Sequence, residues 1–450
     1  MRAEVGLLSR NVVFRGDPET SANNEYGATI FLHSMGDDSL TARLSYIELT
    51  HVGQAFKLGR YAVHFHMIGN VHNSYVKGNS VHEGFNRAFT FHGTSYLRLT
   101  DNVVYNVKGH NIFVEDGVER NNQIHRNLIM KTKRSWSLLN TDQTPASFWI
   151  TNPNNDFTDN HAAGSDRYSY WFDLQIHAMG PSADMDICPE SEAVGIFRGN
   201  HAHSNGRYGL RIFHNMMPRT FPCDPIIYDH NNATDPYWKN PLITANFYNL
   251  TAWKNKRNGA IFGKVGDVRV HDFKTADNIL AGIEFERSDM AGDNMATIKD
   301  STVVGRTENT EELLDLLSPC GVITPRTENF TLDGVRFYNY NWGKASAIGT
   351  CSHCFHPAAT DSGARTISTK NLYFDPDTVI KKIRYQFPFL DIIKDLDGTL
   401  TNKGPNSWAM GYKKHNSWPE CEYLKDVFDG HVCDNSHQVR RLAFHDYTNR

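Results

Sequence analysis

Two histidines one residue apart, His64 and His66, lie in the short apolar stretch RYAVHFHMIG. A third histidine, His92, ends the stretch NRAFTFH, and the adjacent carboxylates Glu115 and Asp116 end GHNIFVED. Imidazoles combined with a carboxylate are a usual ligand set for zinc and other divalent ions. The same groups suit acid–base chemistry, in which a carboxylate orients an imidazole. Either chemistry requires a fold that brings the three stretches together.

Strand-like segments recur along the chain and indicate how the three stretches are arranged. Each stretch has an apolar residue at every second position, which is the period of a strand with one buried face. A second series of segments, GNSVH, DNVVY, RNLIM, DNHAA and GNHAH, places asparagines at positions 79, 102, 127, 160 and 200. The first three of these asparagines are spaced by 23 and 25 residues. Strand-like repeats with a spacing of this size and without a helical period predict an architecture of stacked coils.

We therefore predict an all-β fold, a right-handed parallel β-helix with stacked coils and long inserted loops, over residues 1–400. A tail that contains cysteine and tryptophan, residues 401–450, is expected to pack on this β-helix. The asparagines are expected to share one turn position and to hydrogen-bond from coil to coil. A β-sandwich also has many short strands, but it would not repeat one residue pattern in register.

The β-helix predicts which side chains share a column. We expect Val63, Phe89 and Ile112 to stack in one inward column. Strand alternation then turns two columns outward, namely His64, Thr90 and Phe113, and beside them His66, His92 and Glu115. Because neighbouring strands lie about 4.8 Å apart, the imidazoles and the carboxylate can converge on one point.

These columns predict a site on an exposed face of the sheet. The expected ligands of a divalent metal ion, zinc or calcium, are His64, His66, His92 and Glu115. The expected catalytic residues are His66, His92, Glu115 and Asp116. The alternative is an exposed polar ladder in which Glu115 pairs weakly with partly protonated histidines.

A second group of residues suits a carbohydrate ligand. Aromatic faces stack on sugar rings, amide side chains hydrogen-bond to hydroxyl groups, and an arginine can hold the carboxylate of an acidic sugar. Two tryptophans can equally belong to the core, which is the alternative for that pair. The predicted substrate-binding residues are Trp149, Asn152, Asn154, Asn155, Trp171, His203, Asn205 and Arg211.

Composition excludes several classes of partner. The formal net charge is −4, and the basic residues are scattered. The chain therefore lacks the cluster of basic residues that would bind nucleic acid or a membrane surface. No apolar run approaches the roughly 18 residues of a membrane span, and the amino-terminal stretch lacks the apolar core of a signal peptide. We expect no nucleic-acid partner, no membrane contact within this segment, and a chain that is part of a longer protein.

Cysteines and glycosylation motifs favour an extracellular location. All seven cysteines follow residue 187, and sequons occur at Asn232, Asn249 and Asn329. This pattern favours an oxidising compartment, with N-glycans at those asparagines. Cys421 and Cys433 are candidates for one disulfide.

Two motifs are set aside. DLDGTLT, residues 395–401, resembles a phosphatase signature, but too little chain follows it to supply the rest of such a site, so a turn, with calcium as a candidate ligand, is expected. CSHCFH, residues 351–356, resembles half of a zinc site, but disulfides or a local staple are preferred because no second pair has a matching spacing.

The chain resembles the β-helix regions of the fibrocystin-L-like family, to which the cell-migration-inducing hyaluronan-binding protein and transmembrane protein 2 are related. The resemblance lies in AEVGLLSRNVV, GQAFKLGRYAVHFHMIG, FWITNPNN, CSHC and DLDGTLT, in that order, and covers nearly the whole chain. It implies an extracellular parallel β-helix of a large surface or secreted protein whose partners are polysaccharides or glycoprotein glycans.

Three hypotheses for function follow. The leading one is an extracellular glycan-binding or adhesion module. The alternative, implied by the two relatives that depolymerise hyaluronan, is an endo-acting glycoside hydrolase on hyaluronan-like polymers. A carboxylate pair across the groove would favour it, with Asp173 or Glu284 as remote partners of Glu115. A purely structural stalk is the third.

Overall fold

The computed structural model describes most of the chain and shows an all-β protein. As far as Asp391–Asp395, successive strands belong in turn to three sheets. Within each sheet, a strand pairs in parallel with the strand three places before or after it in chain order. This is the connectivity of a parallel β-helix, so the predicted fold class is confirmed. The described residues are 3–137, 140–227, 229, 231–232, 237–288, 296–310, 319–325, 330–350, 365–385, 391–411 and 420–437.

Sheet A carries the predicted asparagine series at its edge. Its strands, in spatial order, are Val12–Arg15, Ile47–Thr50, Ser80–Gly84, Val103–Val107, Leu128–Met130, His161–Ala163, His201–His203, Thr251–Trp253, Lys274–Ala276, Thr302–Val304, Arg336–Tyr338 and Tyr373–Phe374.

Sheet B carries the predicted histidine and carboxylate site. Its strands, in spatial order, are Ile30–His33, Val63–Asn70, Phe89–Ser95, Ile112–Val114, Ala146–Ile150, Tyr168–Leu174, Tyr208–Met216, Asn258–Val265, Ala281–Ser288, Cys320–Thr324, Ser346–Thr350 and Ile383–Tyr385.

Sheet C completes the coils and extends into the carboxyl-terminal tail. Its parallel strands are Arg43–Ser45, Tyr75–Lys77, Arg98–Thr100, Gln123–His125, Asp156–Thr158, Phe197–Arg198, Ala245–Tyr248, Val268–His271, Ala296–Lys299, Phe330–Asp333, Arg365–Lys370 and Asp391–Asp395. Short helices interrupt the coils at Pro18–Asn24 (α-helix), and at Asn140–Gln143, Gly180–Ser182 and Pro189–Ser191 (3₁₀).

Inward columns of apolar side chains hold the coils together. Val63 pairs with Phe89, Phe89 pairs with Ile112, and all three are buried in the main core, as predicted. The next inward column, Phe65, Phe91 and Val114, is buried as well. Burial of a side chain of this kind stabilises a fold by about 1.5–3 kcal/mol, so each coil adds several such contributions.

The predicted asparagine ladder is confirmed. Each asparagine in the series from Asn79 to Asn200 is fully buried, and each of the first four makes two contacts with the side-chain oxygen of the next. The side-chain oxygen of Asn127, for example, accepts from the backbone N–H of Asn102 at 3.1 Å and from its amide at 2.9 Å. The amide of Asn127 donates to Leu99 O at 3.0 Å. The ladder thus satisfies backbone groups that the tight turn leaves open.

The carboxyl-terminal strands continue sheet C with reversed direction. Ser407–Gly411 pairs antiparallel with Asp391–Asp395, and Gly430–Cys433 and Glu422–Leu424 follow it. A disulfide joins Cys421 to Cys433, which confirms that predicted pair, and a second joins Cys188 to Cys223. The CSHCFH motif lies outside the described residues.

The DLDGTLT motif forms a turn. The Asp395 carboxylate accepts from the backbone N–H groups of Gly398, Leu400 and Thr401. These hydrogen bonds account for the presence of an aspartate at position 395 as a residue that stabilises the turn.

Candidate functional site

The register of sheet B brings the predicted site residues together. His66 pairs with His92 on the neighbouring strand, and Val114 pairs with Phe91. Glu115, the residue after Val114, donates its backbone N–H to Phe91 O at 3.0 Å, so it stands next to His92 on the third strand. The column predicted from alternation therefore exists.

Three side chains of this column are in contact. His66 Nδ1 lies 3.0 Å from His92 Nδ1, and His92 Nε2 lies 2.9 Å from Asp116 Oδ2. His92 Nδ1 also lies 3.6 Å from Glu115 Oε2. Asp116 therefore holds one nitrogen of His92 and leaves the other directed at His66 and Glu115.

His64, like His92, is held in place by a hydrogen bond from one of its ring nitrogens. Its Nδ1 lies 2.9 Å from Gly59 O and donates to it, since a carbonyl oxygen only accepts. Its Nε2 is buried and has no hydrogen-bond partner among the described residues. One ligand atom from each of His64, His66 and His92 lies within 4.8 Å of the others. Three imidazoles, two of them fixed through their second nitrogen, suit a divalent ion such as zinc.

The site is not on an exposed face, and that prediction was wrong. His64 is 1% exposed and His92 is 4% exposed, whereas His66 is half-buried. A loop that contains the Gly180–Ser182 turn lies over Asp116: Ser182 N donates to Asp116 Oδ2 at 2.9 Å, and Met179 N donates to Asp116 O at 2.8 Å. Alternation along a strand indicates that a side chain points out of the core, but it does not reveal a loop above it.

Burial separates the protonation behaviour of the three histidines. Burial lowers the pKa of His64 to about 3. Burial, with the charge of the neighbouring His92, also lowers the pKa of His66. Burial opposes the charged form of His92 too, but its hydrogen bond to Asp116 and the nearby Glu115 outweigh this and raise the pKa of His92. His64 and His66 are thus held in the neutral form, which is the form that binds metal.

The two adjacent carboxylates are shifted in opposite directions. Burial raises the pKa of Glu115, against the influence of Arg87 and His92. Burial has the same tendency at Asp116, but the hydrogen bond with His92 lowers the pKa of Asp116 below its usual range. Neighbouring acids with separated pKa values are a common arrangement of an acid and a base.

Glu119, which was missing from the predicted residues, fixes the turn after the site. Its carboxylate is fully buried and accepts from the backbone N–H groups of Gly93, Asp116 and Gly117 at 2.9, 3.2 and 2.8 Å. Burial raises the pKa of Glu119 to about 7 despite these bonds. The only sequence signal was its position three residues after Asp116.

A buried ion pair beside the site was also missed. Arg87 is 1% exposed and pairs with Asp142 at 3.0 Å. Its guanidinium lies 3.7 Å from the centre of the Phe113 ring and donates to Tyr61 OH at 3.1 Å. Through this contact, the ion pair packs against Phe113, which belongs to the same outward column as His64. Such a pair is hard to predict because its members lie 55 residues apart in the chain.

The outward His64 column leads directly to the predicted sugar-binding residues. Across successive strands the paired residues are His64, Thr90, Phe113, Trp149, Trp171, Arg211 and Ile261. Trp149 is 4% and Trp171 is 7% exposed, so neither presents an open ring face and the core alternative describes them better. Arg211 is half-buried, with its guanidinium 4.5 Å from the centre of the Trp171 ring.

Three of the predicted asparagines have structural partners that account for them. Asn152 and Asn155 are buried: Asn152 donates to Gly117 O at 2.7 Å, and Asn155 Oδ1 accepts from Asn122. Asn205 is also buried and donates to Asn255 Oδ1 at 2.7 Å. In this structure these three side chains are buried and bonded within the protein, and their role in substrate binding stays a prediction. Asn154 is half-buried.

The remaining predicted residues lie elsewhere. His203 belongs to sheet A, away from the histidine column of sheet B, and contacts Glu4. Of the sequon asparagines, Asn249 is exposed, Asn232 is half-buried, and Asn329 lies outside the described residues. Glycosylation at the three positions stays a prediction.

Comparison with known proteins places this geometry in a family. Residues 25–210, which include His64, His66, His92, Glu115 and Asp116, match the family model described as CEMIP beta-helix. The chain contains a CEMIP β-helix domain. It is 31% identical to fibrocystin-L of Mus musculus over 98% of its own length and 11% of that protein's length. The resemblance to the fibrocystin-L-like family is thereby confirmed.

Two further relatives carry names that refer to hyaluronan. The chain is 34% identical to the cell surface hyaluronidase CEMIP2 of Homo sapiens, over 62% of this chain and 23% of that protein. It is 28% identical to the cell migration-inducing and hyaluronan-binding protein of Mus musculus, over 96% of this chain and 38% of that protein. The chain thus spans between about a tenth and two fifths of the length of these relatives. Among the described residues, no helix has the length and apolarity needed to cross a membrane.

Proposed function

We propose that the chain is an extracellular β-helix module that binds hyaluronan-like polysaccharide along the outward face of sheet B, at a site organised by a divalent cation. The observation that carries the proposal is the buried, unpartnered His64 Nε2, which faces His66 and His92. An unsatisfied buried polar atom of this kind costs about 1–3 kcal/mol unless something binds it.

The donor set indicates the class of cation. Three imidazole nitrogens and the buried Glu115 carboxylate match the nitrogen and oxygen ligands that zinc accepts, whereas calcium prefers oxygen ligands alone. Glu115 Oε2 also has no hydrogen-bond partner among the described residues. We therefore favour zinc or a similar transition metal over calcium. Bound there, the ion would supply a local positive charge for an acidic sugar.

The length of the His64 column is compatible with an extended ligand. From His64 to Arg211 the column crosses six strands, which places its ends about 24 Å apart. The positive end groups, a metal at the histidines and the Arg211 guanidinium, are matched to repeated carboxylates of an acidic polysaccharide. The names of the relatives that include hyaluronan binding agree with this ligand class. Glycoprotein glycans that carry acidic sugars are a second source of the same chemistry.

Cleavage of the polysaccharide is a second candidate function, and Asp173 favours it. Asp173 follows Phe172, which pairs with Ile150, so it stands in the column of Glu115 two strands further on, about 9.6 Å away. Inverting glycosidases place their two carboxyl groups roughly 6.5–9.5 Å apart. Burial raises the pKa of Asp173, as it does that of Glu115.

The test compares the parent chain with His66→Ala/His92→Ala, using zinc content and binding of immobilised hyaluronan as readouts. The expected result is that the parent binds hyaluronan and holds one more zinc ion per chain than the double variant, which no longer binds hyaluronan. His72→Ala, an exposed histidine on another part of the surface, is the matched control. Zinc content and hyaluronan binding unchanged in the double variant would contradict the proposal.

Cleavage needs a separate readout. Release of new reducing ends from hyaluronan, lost in Asp173→Asn and in Glu115→Gln, would support hydrolysis. Binding without such release identifies a binding module. The extracellular assignment is tested by secretion from eukaryotic cells, where Asn249→Gln should lose one N-glycan by gel mobility.

A further inference from the structure

A second histidine cluster lies on sheet A, on a different sheet from the site above. His161 and His201 are paired residues on neighbouring strands, and His203 is two residues further along the same face as His201. Ala162 and Ala202, between these positions, are fully buried in the core. Alternation therefore turns all three imidazoles outward, with His161 and His201 one strand spacing apart, about 4.8 Å.

The amino-terminal segment supplies a carboxylate to this cluster. Glu4 Oε1 lies 3.2 Å from His161 Nδ1, and Glu4 Oε2 lies 3.2 Å from His203 Nε2. Ligand atoms of Glu4, His161 and His201 lie within 4.8 Å of one another. Side-chain exposure is 34% at His161 and 16% at both His203 and Glu4, so the cluster is partly shielded but open to solvent.

Residues 3–11 form an extended strap across sheet A. Even-numbered residues from Glu4 to Arg10 are half-buried, and the odd-numbered residues between them are exposed, so one face of the strap packs on the sheet. Leu8 O accepts from Ser80 Oγ, and Arg10 N donates to Glu48 Oε2 at 3.1 Å. The strap therefore runs from the His201 coil back to the first coils of the β-helix.

The side chains that point away from sheet A at the far end of the strap do little to hold it in place. Val5 is 90% exposed and Leu7 is 68% exposed, so apolar burial contributes little there. Neutral hydrogen bonds and half-exposed ion pairs each contribute little to stability. An ion that joins the Glu4 carboxylate to the imidazoles would bind this end to two coils at once.

We propose that Glu4, His161 and His201 form a second divalent-metal site, of the class that takes zinc, which fastens the amino-terminal strap to sheet A. His203 orients the Glu4 carboxylate through Oε2 and leaves Oε1 for the ion. Two imidazoles and one carboxylate are a known ligand set for zinc, with the fourth position open to water.

The side chains must rotate to reach coordinating geometry. The rings of His161 and His201 are stacked, with centres 4.1 Å apart and planes 8° apart. Zinc binds imidazole nitrogen at about 2.0–2.1 Å, in the ring plane, so both rings must tilt toward a common point. Trp253, stacked 4.1 Å from His203, keeps the neighbouring ring in place. Neither nitrogen of His201 has a hydrogen-bond partner in the described part of the chain, so His201 can rotate without breaking such a bond.

The first test counts metal ions. Cobalt(II), whose absorption spectrum reports imidazole and carboxylate ligands, is titrated into the metal-free chain in the His66→Ala/His92→Ala background, which removes the sheet B site. We expect one equivalent to bind, and Glu4→Gln and His201→Ala to weaken binding at least tenfold. His271→Ala, a half-buried histidine on sheet C, is the matched control and should bind as the background does. Binding unchanged by Glu4→Gln and His201→Ala would overturn the proposal.

The second test follows the strap itself. Backbone hydrogen exchange of residues 3–9 should slow on addition of zinc, and this change should vanish in Glu4→Gln. Glu4→Gln is nearly isosteric and lies on a surface segment, so the variant is expected to fold. Exchange that is the same with and without zinc would overturn the role in fastening the strap. Because this readout concerns sheet A alone, its outcome is independent of polysaccharide binding on sheet B.

Discussion

His66 Nδ1 and His92 Nδ1 lie 3.0 Å apart, a distance at which one nitrogen carries a proton and the other accepts it. Asp116 accepts from His92 Nε2 at 2.9 Å, so in the neutral state His92 carries its proton there and His66 is the donor to His92. A metal at this point must displace that proton. The His66–His92 contact is therefore a hydrogen bond in the metal-free protein and becomes a pair of ligand positions when the ion binds.

Replacement of His64 tests whether its unpartnered nitrogen is a ligand. His64→Ala should reduce zinc affinity at the sheet B site at least about tenfold, since even residues behind the ligands of a metal site commonly contribute that much. His33→Ala is the matched control: His33 pairs with His66 on the preceding strand, but it is exposed and its Nδ1 bonds to the His66 carbonyl at 3.0 Å. Isothermal titration with zinc measures both, and equal affinities would remove His64 from the ligand set.

The loop over the site depends on Gly180. A Cβ atom at this position would lie 2.2 Å from Asp116 Oδ1, and the residue has φ = +68°. Gly180→Ala should therefore displace the loop, expose Asp116 and weaken zinc binding. Gly343→Ala is the control because Gly343 has φ = +51° but nothing within 4 Å of its Cβ position, so it adds only the backbone strain of about 1–2 kcal/mol. If the two variants unfold and bind zinc alike, the contact with Asp116 has no role.

The sequence predicted the coils and their columns because both follow from local regularity. Alternation fixes which residues of RYAVHFH and NRAFTFH point inward, and the asparagine series fixes how the coils stack. From these two facts the neighbourhood of His66, His92 and Glu115 follows.

What covers the site could not be predicted, since the loop over Asp116 has no period and Ser182 lies 66 residues from its partner. The structural partners of Asn152 and Asn155 could not be predicted for a related reason. An asparagine in a turn can bond equally well to a ligand or to the next coil, and only the stacking decides between them. Arg87 and Asp142 show the limit for buried charges, whose partners come from distant segments.

The asparagine ladder should make a large contribution to stability. Asn127 is fully buried, donates from its backbone N–H and amide to Asn160 Oδ1, and accepts from Asn102. Asn127→Ala leaves these groups unsatisfied and should reduce the free energy of unfolding by about 2–4 kcal/mol, given a cost of roughly 1–3 kcal/mol for each buried unsatisfied group. Asn24→Ala, at an exposed position in the short helix, should change it by less than about 1 kcal/mol. Urea unfolding compares the two, and a loss below 1 kcal/mol for Asn127→Ala would show that the ladder is not needed for stability.

His110 should give the protein a specific sensitivity to acid. Burial lowers the pKa of His110 to about 3, against the attraction of Asp142, and its Nδ1 accepts from Ala146 N at 3.0 Å. In the unfolded chain the pKa of His110 returns to about 6.5. Between that pH and about 3, the unfolded state binds a proton at His110 and the folded state does not. The stability contributed by the neutral ring is complete above pH 6.5 and is lost as the pH falls toward 3. The loss amounts to about 2 kcal/mol at pH 5.

The variant His110→Asn isolates this effect, because asparagine keeps an acceptor for Ala146 N and has no titrating group. Urea unfolding in the presence of a chelator, at pH 7.5 and pH 5, should show a fall in stability that is about 2 kcal/mol smaller in His110→Asn than in the parent chain. His72→Asn, at an exposed position, should follow the parent. An equal fall in the parent and in His110→Asn would mean that the buried ring takes up its proton in the folded state, and the assignment of His110 as a neutral core histidine would then be wrong.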